Sequence, residues 1–103
     1  MIPSARPVQS RAEVLDVIAR HTLELRALGV AGLWVVGSAA RDTLRPDSDV
    51  DVIVELSRPL GLEFFEIAPR LEEWLGRRVD LGTRPALHAR ARAQMEREAI
   101  RAA

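Results

Sequence analysis

A chain of 103 residues with fifteen acidic and fifteen basic side chains, two His and no Cys is long enough for one domain with one core, and too short for a separate domain that grips a second substrate. Every basic residue is Arg, which excludes a P-loop or Schiff-base lysine, and the lack of Cys excludes disulfides, thiolate metal sites and cysteine nucleophiles, leaving hard, oxygen-ligated metals. The balanced charge argues against a broad nucleic-acid surface, and no apolar run approaches a membrane span or a signal-peptide core, so a soluble, cytoplasmic protein is expected.

Residues 1–9 contain Pro3 and Pro7 and are expected to be extended or disordered, a flexible N-terminus ahead of a single domain over 10–103. Ser10 and Glu13 form a capping-box pattern, and Val14, Leu15, Ile18, Leu25 and Leu28 recur at helical spacing up to Gly29, so a first helix is predicted over about 11–28. Val30 to Val36 reads as a buried strand, the residues after Ser38 as a short helix, and Val50 to Val54 as a second strand. Asp47-Ser48 is turn chemistry before that strand. An amphipathic stretch follows with Leu62, Phe65, Leu71, Trp74 and Leu75, and Pro69 predicts either a kink or a new helix starting there. Gly76 ends it, Val79 to Leu81 is a third strand, and Thr83-Arg84-Pro85 opens a last helix with Leu87, Ala91, Met95 and Ala99 on its inner stripe.

The chemistry concentrates between Gly37 and Asp51, in GSAARDTLRPDSDVD. Gly37-Ser38 makes a tight turn into a helix start, where free backbone N–H groups suit a phosphate. Asp49 and Asp51 alternate with Val50, Val52 and Val54, so on a strand both carboxylates leave one face while the valines pack on the other. Asp80 lies in a local apolar-Asp-apolar setting, Val79-Asp80-Leu81. Three carboxylates on neighbouring strands repel unless cations neutralise them, and Mg2+ commonly takes one or two carboxylates together with substrate phosphates. Arg41 is either a phosphate partner or the ion-pair partner of a nearby acid such as Asp42 or Asp49. His21 and His88 read as surface residues, Trp34 and Trp74 as core packing, and the run Arg84, Arg90, Arg92, Arg97 and Arg101, interleaved with Glu96 and Glu98, as a solvated helix face.

The order WVVGSAARD, TLRP, DSDVDVIVEL and then RRVDL resembles the nucleotidyltransferases of the DNA polymerase beta superfamily, in particular their minimal branch. That family's pattern is an apolar strand, Gly-Ser, two residues, Arg-Gly, a short loop, Ser-Asp-apolar-Asp, and a later strand with a third Asp; Ser48, Asp49, Asp51 and Asp80 match it. Asp42 departs from it, standing where the family usually has Gly. The resemblance implies an α/β (α+β) fold, a small mixed sheet with the site on one face and helices on the other. It also implies that Asp49, Asp51 and Asp80 are the catalytic and metal-binding residues for two Mg2+ ions, with Mn2+ as a substitute. Gly37, Ser38 and Arg41 would hold the phosphates of a nucleoside triphosphate, ATP by default. Minimal nucleotidyltransferases resembling this chain pair with small helical HEPN toxins and act as antitoxins, some by transferring AMP to a toxin tyrosine, so a HEPN toxin is the expected partner and acceptor. The rival from another class is an antitoxin that neutralises its partner by binding alone. A sugar transferase using Asp-x-Asp needs a larger fold.

Overall fold

Alternation in the two apolar runs decides the sheet. In the computed structural model, which describes residues 6–83, 93 and 97–103, β1 (Val30–Val36) and β2 (Val50–Leu56) pair antiparallel, with Leu33 opposite Val54, Val35 opposite Val52 and Val36 opposite Asp51. β3 (Val79–Thr83) adds to β2 in parallel, and β4 (Ile100–Arg101) to β1 antiparallel, giving the order β3-β2-β1-β4. Leu33, Val35, Val50, Val52 and Val54 are fully buried and form one face of the sheet. Against them pack Val14 and Ile18 of α1 (Arg11–Arg20), Leu25 of α2 (Thr22–Ala27) and Ile67, Leu71 and Leu75 of α4 (Ile67–Leu75). The expected mixed sheet with helices on one face is therefore present, and the odd-numbered positions of β2, Asp51 and Glu55 among them, are left to the other face.

The single first helix of the sequence reading is two helices. The chain turns at His21 (φ −112°, ψ 22°), whose ring stacks on Trp74 at 3.9 Å between centroids while Nδ1 meets Glu24 at 2.6 Å. His21 is thus a half-buried packing residue rather than a surface one, and its hydrogen bond holds the Glu24 carboxyl below the ordinary range. The capping box forms with a shift: Ser10 Oγ accepts from Glu13 N, and Glu13 reaches back to the Gln9 N–H. The described residues before it, 6–9, have no regular secondary structure, yet Val8 is buried, donates its N–H to Leu75 O and accepts from Arg77.

The parallel β2–β3 pairing requires a crossover, made by a 3-10 turn over Leu62–Glu66 and then α4. The new helix begins at Ile67, two residues ahead of Pro69, so Pro69 sits in the first turn where its missing N–H is not needed. Because i and i+3 eclipse in 3-10 geometry, Leu62 and Phe65 both point outward and are exposed, contrary to the inward stripe expected of them, while Phe64 packs on the core. Trp34 also lies outside the core, on the far sheet face beneath the Arg101 guanidinium. Of the expected last helix, Leu87, Ala91 and Met95 fall outside the described residues, as does His88; Arg97 and Glu98 are helical, and Ala99 is already past the helix and leads into β4.

Candidate functional site

The far face of the sheet carries one row of chemistry. Val36 of β1 is opposite Asp51 of β2, and Asp51 is in register with Asp80 of β3, so the two carboxylates stand side by side on adjacent strands, whose spacing is about 4.8 Å. Asp49 precedes β2 by one residue and is exposed, Asp80 is exposed, and Asp51 is half-buried. Burial pushes the Asp51 carboxyl above its ordinary value of 3.8, the charges of Asp80 and then Asp49 push it further, and Arg41 pulls the other way with the smallest effect. The three acids of the sequence reading are therefore close enough for their charges to act on one another.

Gly37 closes the other side of the row. It begins α3 (Gly37–Ala40) with φ +66°, and a Cβ built there would run into Oδ2 of Asp51, with Cγ 3.3 Å away. Only glycine both accepts that backbone conformation without strain and lets the carboxylate lie against the turn. Val36 gives the helix start no side-chain cap, and the first N–H groups of a helix have no intrahelical acceptor. Ser38 supplies its carbonyl to Thr43, which donates from N (2.8 Å) and from Oγ1 (3.3 Å), a tie that fixes the end of the turn and that the motif does not announce.

Asp42 takes φ 60°, the left-handed conformation that the family's usual glycine adopts freely and that Asp tolerates better than most residues. Its Oδ1 accepts from the Arg11 N–H at 2.8 Å, at the start of α1. Arg41 pairs with neither Asp42 nor Asp49: its Nη1 lies 3.4 Å from Oε2 of Glu98, at the far end of the chain. Asp47 and Ser48 belong to the turn before β2, where Ser48 N donates to Arg45 O and Ser48 Oγ accepts from Arg45 N. Sequence reasoning missed Arg77. Its Nε donates to Val8 O at 2.6 Å and its Nη1 to Arg45 O at 2.7 Å and Ser48 O at 2.9 Å. Backbone acceptors leave no sequence signal; the only hint was its place just ahead of Val79-Asp80.

Among the described residues no three acidic or imidazole side chains form a ready-made metal cage. The donor set nonetheless fits a hard cation that completes its shell from elsewhere, since Mg2+ keeps waters and substrate phosphates alongside one or two carboxylates. Like-charge crowding at Asp51 is what such a cation relieves.

The molecule is a small mixed α/β domain whose sheet carries acids on one face beside a glycine turn, a donor set suited to a hard cation with a phosphorylated ligand. Residues 18–102 match the profile of the Nucleotidyltransferase domain family. Protein adenylyltransferase MntA of Thermococcus cleftensis is 36% identical over 90 residues, 85% of this chain and 91% of that protein. A solved structure provisionally described as a minimal nucleotidyltransferase superposes with a TM-score of 0.78 at 30% identity, over 88% of this chain and 94% of that one. The MNT antitoxin in complex with the tri-AMPylated HEPN toxin of Shewanella oneidensis matches in fold, with a TM-score of 0.61 at 17% identity over 86% of this chain and 71% of that one. The chain belongs to the nucleotidyltransferase domain family, within its minimal branch, and is a nucleotidyltransferase.

Proposed function

We propose that this protein transfers AMP from ATP, with Mg2+, to a hydroxyl of a HEPN-type toxin, a tyrosine by preference, and that it acts as the toxin's antitoxin. The observation that carries the reading is the row in which Asp51 and Asp80 stand in register, with Asp49 alongside and the Asp51 carboxylate against Gly37. Two kinds of likeness support the finer assignment: the adenylyltransferase MntA relative, and the fold shared with an MNT antitoxin whose HEPN partner is AMPylated.

In this reading the triphosphate lies at the Gly37–Ser38 turn, where the helix-start N–H groups and Ser38 face its oxygens. Arg41 is near enough to feel Asp51, and its planar donors suit a phosphate once they exchange Glu98 for it. Asp49 and Asp51 are the residues that hold Mg2+, with Asp80 completing the set; when bound, the cation neutralises charge on the attacking and leaving oxygens. Asp80, exposed at the rim, takes up the proton of the acceptor hydroxyl. The acceptor oxygen forms a bond to the α-phosphorus as the bond from the α-phosphorus to the bridging oxygen breaks, and pyrophosphate departs. Asp49 and Asp80 are both exposed, so an acceptor hydroxyl can reach the row.

The test is to mix the protein with its cognate toxin, ATP and Mg2+ and measure the intact mass of the toxin. Increments of one AMP and release of pyrophosphate are expected, and both vanish when Asp49→Ala and Asp51→Ala are combined. Neutralisation of the toxin in cells by that double variant, with no mass change, would replace transfer by neutralisation through binding alone.

A further inference from the structure

Asp49 is exposed and borders an open groove of about 210 Å3 lined by Pro7, Pro46, Asp47, Ser48 and Arg77 among others. Packing therefore does not fix its carboxylate, unlike that of Asp51 against Gly37. Main-chain bonds on either side fix the backbone from which it projects. The carbonyl of Ser48 belongs to the peptide unit that leads into Asp49, and it accepts from Arg77 Nη1 at 2.9 Å. On the other side of Asp49, the Val50 N–H donates to Arg78 O at 2.9 Å. Asp49 is bracketed by two bonds to consecutive residues of the segment that runs straight into β3 and Asp80.

We infer that Arg77 is a positioning residue for Asp49: by gripping the Ser48 and Arg45 carbonyls it sets the peptide plane ahead of Asp49 and ties that carboxylate to the strand bearing Asp80. The same guanidinium holds Val8 O through Nε, so one planar side chain spans the N-terminal strap, the turn over 45–48 and the start of β3. A lysine cannot replace it, since one ammonium on a flexible stem does not reproduce two donors in fixed relative directions. Arg77 touches no substrate in this account. It acts through the backbone, in the way that outer partners orient metal-binding carboxylates elsewhere.

The inference rests on the proposed metal role of Asp49, and the experiment separates the two. Binding of Mn2+ in the presence of a non-hydrolysable ATP analogue is measured by calorimetry on the wild type, Asp49→Asn, Arg77→Lys, Arg77→Met and Val8→Ala, with a thermal melt of each. Wild type should bind Mn2+ and Asp49→Asn should not. Arg77→Lys and Arg77→Met should weaken Mn2+ binding by about 10- to 100-fold, and the Mg2+ needed for half-maximal transfer should rise in parallel. Val8→Ala loosens the same N-terminal strap without touching the turn, so it should lower the melting temperature and leave Mn2+ binding unchanged. If the wild type fails to bind Mn2+, the functional reading falls and the role of Arg77 with it. If the wild type binds and the Arg77 variants bind equally well, or Val8→Ala weakens binding as much, the positioning role alone is overturned. Failure of both Arg77 variants to fold would make the residue a structural one and equally overturn it.

Discussion

Gly37→Ala is the substitution that tests the site most directly, because its cost divides into two parts that can be separated. The first is conformational. Gly37 has φ +66°, and holding a residue with a Cβ in that region costs about 1–2 kcal/mol. The second is steric: the new methyl would meet the Asp51 carboxylate at Oδ2, with Cγ and Cβ at 3.3 and 3.4 Å. Rotating Asp51 away to an off-rotamer angle costs about 0.5–1.5 kcal/mol. Together they amount to about 1.5–3.5 kcal/mol, and at about 4–8 °C per kcal/mol for a domain of this size the melting temperature should fall by roughly 6–28 °C. Urea melts of the single variants and of combinations with Asp51 substitutions separate the parts. In an Asp51→Ala background the steric part disappears, so Gly37→Ala should cost about 0.5–1.5 kcal/mol less there. In an Asp51→Asn background, which keeps the shape and removes the charge, it should cost as much as in the wild type. An equal cost in all three backgrounds would mean that the glycine serves φ alone and that the contact with Asp51 carries no energy. No cost in any of them would refute the geometry of the turn itself.

Asp51→Asn should stabilise the protein when metal and nucleotide are absent: raising a folded carboxyl above its ordinary value of 3.8 means that ionisation weakens the folded state as pH rises through that window. The advantage of Asn should therefore be present at neutral pH, shrink as pH falls towards 3.8 and vanish below it in acid melts; the opposite trend would contradict the crowding of Asp51 by Asp80 and Asp49. Ser38→Ala should weaken binding of the ATP analogue by about 1 kcal/mol in calorimetry, and an unchanged affinity would remove the hydroxyl from the phosphate site. Asp42→Ala loses both the cap on the Arg11 N–H and a side chain tolerant of φ 60°, and should cost about 1–2 kcal/mol; Asp42→Gly should cost less in the same urea melts, since glycine restores the conformational freedom.

Much of the candidate site's geometry was legible because its determinants are local. Alternation of Asp and Val fixes which side chains of β2 share a face, and a glycine before Ser38 announces a turn that other residues resist. The sheet followed from the same apolar runs. What escaped was set by partners distant in sequence. The break at His21 depends on Trp74, 53 positions on, to stack with its ring. The exposure of Leu62 and Phe65 depends on a choice between 3-10 and α geometry that an amphipathic pattern does not distinguish. β4 is two residues long and exists only because β1 offers an edge, with Ala102 N donating to Leu33 O. Arg77 bonds only to carbonyls that any sequence would supply.

The distribution of the arginines bears on the proposal that the acid row takes a cation from outside the chain. Fifteen Arg balance fifteen acids in total, yet several described arginines are placed away from the row: Arg20 on Asp16, Arg58 near Glu63, Arg6 near Glu13, and Arg77 and Arg101 on backbone carbonyls. At Asp51 the attraction of Arg41 is the smallest of the four effects, against burial and two like charges, and Arg41 is itself drawn to Glu98. An arginine reaching over Asp51 and Asp80 would have offset their repulsion by an ordinary ion pair. Among the described residues, local neutrality is instead left incomplete where the strand register sets Asp51 and Asp80 side by side. If the proposed cation and triphosphate bind at this row they offset that repulsion, and the difference in stability between loaded and unloaded protein would then measure how strongly the site selects them.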